Sequence, residues 1–346
     1  MVKRIKGWNK RKISYTGRLI LVKSVLATLH NYWAQIFVLP AGVMDRIQAL
    51  CRNFLWEGSD SYSKAPLVSW KIVCSSTLAG GLGIIDSRIW NVAAVGKLVW
   101  WIASKKDLLW IKWIDKVYLK GRDWFEYQPN PNSSWAWRQV CMVKEKMAAG
   151  YSNGKWQVND GHYNIADGYN WLRQDHTPNV AWYNIVWSRL NTPKHMFNAW
   201  LIRHGRLLTL DRLYKMGITS QRTCFLCGYQ DETHDHLFST CNFTCHCYAR
   251  FQNWLGLPST GVVLAERMLK IRSCSGFMRK LLCSLVVALH YHVWHARNLC
   301  RVEQKVLHPK AIIQAVREDG RMAIIKYNYC QMSLSDREWC RVKGLM

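Results

Sequence analysis

The stretch Cys224-Phe-Leu-Cys227, followed by His236-Leu-Phe-Ser-Thr-Cys241, places three thiols and one imidazole at the spacing C-x2-C-x8-H-x4-C. Such a set can complete a tetrahedral shell around one zinc ion. The Cys-x-x-Cys pair predicts a tight knuckle, and Gly228 directly after it permits the turn. Four protein ligands leave no coordination position for water or substrate, so the spacing predicts a structural zinc site. The alternative is a group of buried, reduced cysteines without a metal.

The spacing identifies the stretch that would bind zinc, but it leaves more than one choice of ligands. The same stretch contains four further candidates, which are His234, Cys245, His246 and Cys247. His236 is favoured because Leu237 and Phe238 follow it as a short apolar anchor. Asp235 or Glu232 could orient an imidazole by a hydrogen bond to its other nitrogen, although we expect both carboxylates to be solvated.

The charge of the chain indicates a polyanionic partner. The 346 residues include 48 Lys and Arg against 22 Asp and Glu, a formal net charge of +26. Nucleic acid is the leading partner for such an excess, and an anionic membrane surface is the lesser one. No acidic residue precedes Asp45, so we expect phosphate contacts from the basic residues before it, or else a solvated basic arm. These residues are Lys3, Arg4, Lys6, Lys10, Arg11, Lys12, Arg18 and Lys23.

The cysteine count bears on the compartment. Thirteen cysteines are an odd number, scattered, and preceded by no secretory signal, so we expect free thiols in a reducing, nuclear or cytoplasmic compartment. The longest apolar run, Leu281 to Leu289, is too short to span a bilayer. We therefore expect no membrane partner.

The hydrophobic periodicity predicts a mainly α-helical fold with a few short strands. Ser14 is a suitable helix cap, and a helix with one apolar face is expected from there to Pro40. Most of the 20 tryptophans are expected to pack between helices. Further helices are predicted at 43–56, 86–104, 107–119, 135–147, around 282–293 and at 309–327, and another is expected to start at Pro193. A turn is predicted at 80–83 and a linker at 129–134. Two short strands are predicted at 155–158 and 162–165.

The residues that catalysis would need are missing from the sequence. Metal-dependent polymerases and nucleases cluster carboxylates, but the adjacent acids here are only Asp231-Glu232 and Glu318-Asp319, with no Asp-Asp pair. No Gly-x-Ser-x-Gly, Gly-x-Gly-x-x-Gly or His-Glu-x-x-His motif occurs. His290, His292 and His295 fall on one predicted helix, where only the last two share a face, so surface histidines are expected rather than a second metal site. The sequence therefore predicts no enzyme.

With these motifs in view, the chain resembles the C-terminal part of a plant LINE-type (non-LTR) retrotransposon reverse transcriptase. Three blocks, in the family's order, carry the resemblance over about residues 5–300. The first is Ile13-Ser14-Tyr15-Thr16-Gly17-Arg18-Leu19 with Leu21-Val22-Lys23-Ser24-Val25-Leu26, Pro40 and Phe54-Leu55-Trp56-Glu57-Gly58. The second is Trp70, Val73-Cys74, Gly80-Gly81-Leu82-Gly83-Ile84, Asn91 and Leu109-Trp110. The third is Trp187, Pro193-Lys194, Trp200, Asp211-Arg212-Leu213, Gly217-Ile218, Glu232-Thr233 and the Cys/His set.

The resemblance implies a domain plan and a function. Residues 1–130 would be the helical region after the polymerase palm, 131–164 a linker with short strands, 165–250 a reverse-transcriptase zinc-binding domain, and 251–346 a C-terminal helical region. The zinc ligands would be Cys224, Cys227, His236 and Cys241. The palm with its Tyr-x-Asp-Asp motif is missing, and Ser-Ser-Thr-Leu-Ala stands before Gly80 where the family has a Pro-Lys pair. The expected function is non-catalytic binding of RNA or an RNA/DNA hybrid; the alternative is a protein-interaction or structural module, or an inactive retroelement remnant.

Overall fold

The computed structural model describes residues 1–9, 13–61, 65–152, 163–173, 179–257, 275–327 and 332–346. Helices dominate these residues, as predicted, and their β pairing is a single antiparallel bridge between Thr223 and Asp231. The chain divides into two compact units, residues 1–178 and 179–346. No helix in the described ranges has both the length and the apolar character needed to cross a membrane.

The first unit is built from helices that pack around a tryptophan-rich core. Its helices are α1 (Val2–Asn9), α2 (Tyr15–Ser24), α3 (Asn31–Ala34), α4 (Ala41–Glu57), α5 (Trp70–Cys74), α6 (Ser87–Ala103), α7 (Leu109–Ile114), α8 (Trp135–Ser152) and α9 (Ile165–Arg173). A π-type turn, Asp115–Leu119, continues α7. The helices predicted at 43–56, 86–104, 107–119 and 135–147 are thus confirmed, and Gly58 ends α4 in the left-handed region at φ +79°.

The helix predicted from Ser14 to Pro40 is interrupted. Ser14 caps α2 as expected, with its Oγ accepting the N–H of Gly17 at 3.2 Å. The helix then breaks at Val25 (φ −123°, ψ −60°), where a 3-10 turn begins. Hydroxyl groups compete for the backbone carbonyls here, since Ser24 Oγ donates to Ile20 O at 2.8 Å and Thr28 Oγ1 to Val25 O at 3.0 Å. The prediction of one continuous helix was wrong because apolar spacing alone does not register this competition.

Asn91 on α6 completes the end of this interrupted segment. Its side chain is buried, and its Nδ2 donates to the carbonyls of Ala34 and Phe37, each at 2.7 Å. Its Oδ1 accepts the N–H of Leu39 at 2.8 Å. A side chain from a distant helix therefore satisfies the backbone groups that the end of α3 leaves open.

Trp137 lies in the centre of the aromatic core. Its ring stacks on Tyr118 at 4.6 Å, and its Nε1 donates to the hydroxyl of Tyr127 at 3.2 Å. Trp124 packs 5.6 Å from the same ring. These contacts confirm the packing role predicted for tryptophan. The segment 129–134, predicted as a linker, lies inside this unit, between Tyr127 and Trp137.

The predicted strands do not add to the sheet content. Residues 155–158 and 162 lie outside the described ranges. The described remainder of the second predicted strand is not a β-strand. Tyr163 and Asn164 directly precede α9, which begins at Ile165. Tyr163 instead donates its hydroxyl to Ala93 O at 2.7 Å, which ties this segment to α6.

The second unit places the Cys/His stretch against long helices. Its helices are α10 (Tyr183–Val186), α11 (Pro193–Arg203), α12 (Leu210–Lys215), α13 (Asn242–Leu255), α14 (Gly276–Glu303), α15 (Pro309–Lys326) and α16 (Leu334–Val342). Pro193 starts α11 as predicted, and the predicted helices near 282–293 and at 309–327 are confirmed as α14 and α15. The C-terminal helices pack on one another through the buried apolar faces of α14 and α15.

Candidate metal centre and basic surface

The four side chains predicted from spacing come together in the second unit. The donor atoms of Cys224, Cys227, His236 and Cys241 all lie within 4.8 Å of one another. The two sulfurs of Cys224 and Cys241 are 4.0 Å apart, and Cys227 Sγ lies 3.3 Å from His236 Nε2. Three of the residues are buried and Cys227 is half-buried, so the group can be shielded from solvent and still be reached by an ion.

The first pair of thiols lies in a tight hairpin. The bridge between Thr223 and Asp231 closes it, and the N–H of Cys224 donates to Gln230 O at 2.8 Å. Gly228 donates its N–H to Cys224 O at 2.9 Å and has φ +73°, so the predicted role of this glycine is confirmed. This turn brings the thiols of Cys224 and Cys227 to the same side of the loop.

The second pair is presented by consecutive helical turns. His236 begins a π-type turn that ends at Thr240, and Cys241 precedes the first residue of α13. A hydrogen bond from the Cys224 thiol, together with the N–H groups of Thr244 and Phe243, lowers the pKa of Cys241 to about 5. A helix N-terminus that donates N–H groups to sulfur favours the thiolate, which is the form that binds metal.

The imidazole of His236 is oriented by a hydroxyl and not by a carboxylate. Thr240 Oγ1 lies 3.3 Å from Nδ1, which leaves Nε2 directed at Cys227. Asp235 is solvated as expected, with its side chain 97% exposed. The expectation that Glu232 is also solvated was wrong, because it is completely buried in an ion pair with Arg297.

The other candidate ligands lie outside this group. Cys245 is exposed, with its thiol 3.8 Å from Ser239 O, and His246 is exposed on the same helix. Cys247 is buried but is not one of the four grouped residues, and burial raises the pKa of its thiol to about 12. His234 packs against the ring of Phe238 at 5.2 Å.

An ion pair and an apolar anchor hold the Cys/His stretch in place. Arg297 on α14 donates from Nε and Nη2 to Glu232 Oε1 at 2.9 and 2.5 Å. The same oxygen accepts the N–H of Leu210 at 3.0 Å, at the start of α12. Leu237 and Phe238 are buried, as their proposed role as an anchor requires. The donor set, its burial and its rigid attachment fit a structural zinc ion.

A family model described as zinc-binding in reverse transcriptase matches residues 163–248. This segment is therefore similar to reverse-transcriptase zinc-binding domains. The matched segment includes the Cys/His stretch, α9 to α12 and the first half of α13. The chain is also 32% identical over 141 residues to a putative ribonuclease H protein of Arabidopsis thaliana. That match covers 40% of this chain and 23% of the relative, so the chain spans less than a quarter of the relative's length in it. Both similarities fit a protein derived from a retroelement.

The basic residues predicted to contact nucleic acid have different environments. Lys3, Arg4, Lys6 and Lys23 are exposed, whereas Lys10, Arg11 and Lys12 lie outside the described residues. Arg18 is half-buried and donates to Ile13 O at 3.0 Å and to Trp56 O at 3.3 Å. Its guanidinium therefore ties α2 to the end of α4, a role that sequence reasoning did not anticipate.

Proposed function

We propose that this chain is a zinc-stabilised, non-catalytic, nucleic-acid-binding fragment of a LINE-type, retrotransposon-derived reverse transcriptase. The proposed partner is RNA or an RNA/DNA hybrid. The observation that carries the proposal is a basic helix held on the surface of a chain with a net charge of +26. Phosphate backbones bind such surfaces through Lys and Arg, with release of counterions.

Helix α1 presents its charges from a fixed position. Ile5 is completely buried, and the ring of Trp8 lies 5.4 Å from Phe54 on α4. These two residues anchor the helix, while Lys3, Arg4 and Lys6 remain exposed. Charges held on an anchored helix lose less conformational freedom on binding than the same charges on a flexible arm.

Exposed aromatic rings on α3 support binding to single strands. Tyr32 and Trp33 are 69% and 57% exposed, and their rings meet edge to face at 5.2 Å. Rings of this kind can stack on unpaired bases, a contact worth about 1–3 kcal/mol per base. Lys23 is exposed in the preceding helix and would add a phosphate contact.

Zinc in this proposal is bound by Cys224, Cys227, His236 and Cys241, and it stabilises the fold of the zinc-binding domain. The adjacent carboxylates of Asp231 and Glu232 support the absence of phosphoryl-transfer chemistry at the Cys/His stretch. Asp231 pairs with Arg222 at 2.6 Å, and Glu232 is buried against Arg297. Each acid is thus neutralised by its own arginine, whereas two-metal catalysis requires carboxylates that converge on shared ions.

The experiment that tests the proposal is binding of the zinc-loaded chain to single-stranded RNA over a salt series. The variant Lys3→Ala/Arg4→Ala/Lys6→Ala removes three charges from α1. The matched control, Arg301→Ala/Lys305→Ala/Lys310→Ala, removes three exposed charges from the second unit. If α1 contacts three phosphates, the slope of log affinity against log salt becomes shallower by about 2 in the first variant, at roughly 0.7 per phosphate.

Equal slopes for the α1 variant and the control would contradict the role of α1. Affinity that does not depend on salt, or no binding to RNA, would contradict nucleic-acid binding altogether. Stable oligomers formed without nucleic acid would then favour the alternative of a protein-interaction module.

A further inference from the structure

Three helices of the second unit bring two imidazoles and one carboxylate together. His195 lies on α11, His292 on α14 and Asp319 on α15, and one donor atom of each lies within 4.8 Å of the others. Asp319 Oδ2 is 2.6 Å from His292 Nε2 and 3.5 Å from His195 Nε2. The group is separate from the Cys/His stretch in sequence and shares no residue with it.

His195 is the unusual member of this group. Its side chain is only 2% exposed, and its Nε2 is buried without a hydrogen bond although it faces Asp319. A buried polar atom without a partner costs about 1–3 kcal/mol, so such atoms are rare unless a ligand completes them. In the tautomer that carries its proton on Nδ1, His195 Nε2 presents its lone pair to a ligand.

We propose that His195, His292 and Asp319 form a second metal site, which binds one divalent transition-metal ion such as Zn²⁺. Imidazole with carboxylate suits zinc and its first-row neighbours, whereas Mg²⁺ and Ca²⁺ prefer all-oxygen shells. Donor atoms around a tetrahedral zinc lie roughly 3.3 Å apart, given bonds of about 2.0–2.2 Å. The 3.5 Å between His195 and Asp319 already fits this geometry.

Binding requires a small rearrangement at His292. Its Nε2 now forms a hydrogen bond with Asp319 Oδ2, and the 2.6 Å between these two atoms must widen by several tenths of an ångström to admit the ion. The proton moves to Nδ1, so that the neutral ring binds through Nε2. The three ligands leave one tetrahedral position for water, which Asp319, at 19% exposure, leaves open to solvent.

The site goes beyond the proposed function and does not depend on it. It would cross-link α11, α14 and α15, whereas the Cys/His group fixes a short loop. Lys194 and Lys326 add positive charge around His195. We therefore expect weaker binding than at the three thiols and one imidazole, so that the second site fills after the first.

The test is the stoichiometry of Zn²⁺ bound by the full chain in equilibrium dialysis. We expect the wild-type chain to take up two equivalents, the second one more weakly. His292→Gln and Asp319→Asn should each lose the weaker equivalent, and Cys227→Ser should lose the tighter one and keep the other. His295→Gln is the matched control, because His295 is exposed one turn further along α14 and lies outside the group.

Replacement of zinc by Co²⁺ separates the two sites by spectroscopy. The tighter equivalent should show thiolate-to-cobalt charge transfer, and the weaker one should add only d–d absorption. His195→Gln gives a third independent variant, and far-UV circular dichroism identifies any variant that does not fold. A wild-type chain that binds a single equivalent, or a second equivalent that persists in both His292→Gln and Asp319→Asn, would overturn the proposal.

Discussion

Glu232 and Arg297 form an ion pair in which neither side chain reaches solvent, with exposures of 0% and 1%. The carboxylate follows the metal hairpin, and the guanidinium lies on α14, over the rings of Trp294 at 4.9 Å and Phe225 at 5.8 Å. The pair thereby connects the candidate metal centre to the longest helix of the second unit.

Removal of Arg297 should destabilise the second unit strongly. Arg297→Met leaves the Glu232 carboxylate buried without its partner, and we expect a loss of about 3–5 kcal/mol in the free energy of unfolding. Arg341→Met is the control, because Arg341 pairs with Glu338 at the surface and such pairs contribute about 0–1 kcal/mol. Urea denaturation of both variants measures the difference, and equal losses would contradict a special role for the buried pair.

Chelation of zinc should lower the thermal stability of the chain. A ligand that binds only the folded state adds about 4 kcal/mol when its free concentration is a thousandfold above its Kd. We expect EDTA to lower the Tm of the wild type by more than it lowers the Tm of Cys227→Ser, because this variant has already lost the tighter zinc ion. Cys245→Ser, in the same stretch but outside the cluster, should behave as the wild type.

Thr240 should tune the affinity of the metal centre without acting as a ligand. Thr240→Val removes the hydroxyl beside His236 Nδ1, and the loss of such an orienting contact lowers metal affinity about 10-fold or more. Competition with a chromophoric chelator measures the change in Kd. Ser239→Ala tests specificity, since Ser239 is exposed and adjacent, and an equal effect there would show that the contact itself is unimportant.

Asn91 should be important for the stability of the first unit. Asn91→Ala leaves the carbonyls of Ala34 and Phe37 and the N–H of Leu39 without their partner, and we expect a cost of about 2–3 kcal/mol. Asn91→Asp keeps the acceptor but turns a buried carboxyl oxygen toward the two carbonyls, so it should cost at least as much as Asn91→Ala. A loss below about 0.5 kcal/mol in both variants would mean that water replaces the side chain.

His290 should make the second unit sensitive to acid. Burial lowers its pKa to about 3, and the neutral ring makes a hydrogen bond with the hydroxyl of Tyr248. The unfolded chain binds a proton near pH 6.5 that the folded chain binds only near pH 3. Stability is therefore lost as the pH falls through this window, by up to about 1.4 kcal/mol per pH unit.

The variant His290→Gln isolates this contribution. Glutamine can accept the hydrogen bond from Tyr248 without titrating, so the slope of unfolding free energy against pH should become shallower between pH 6 and about pH 4. Exposed His246 is the control, and His246→Gln should keep the wild-type slope. An unchanged slope in His290→Gln would contradict the assignment.

Local patterns were sufficient to predict the Cys/His cluster and most helices. Cys224 and Cys241 are 17 residues apart, and Ser14 caps its helix through Gly17, three residues further on. Spacing over short stretches of sequence is therefore enough to predict these features. The sequence analysis did not predict contacts between residues that are far apart in the sequence. Glu232 meets Arg297 across 65 residues, and Asn91 meets Ala34 across 57, which no periodicity reveals.

The second metal group shows the same limit. His292 was considered with His290 and His295 because all three lie on one helix. Its partners in the structure are His195 and Asp319, which the folding of α11 and α15 onto α14 brings to it. A pattern search along one helix cannot identify ligands that three helices provide.

The short sequence separation within the Cys/His hairpin also bears on the order of folding. Closing a loop of this length costs little chain entropy, whereas the pairing of Glu232 with Arg297 must wait until a far longer segment has been organised. We expect the metal loop to form early and the buried ion pair to form late, after the rate-limiting step. Substitutions at Arg297 should then accelerate unfolding more than they slow refolding, so the ion pair would govern how long the native state persists.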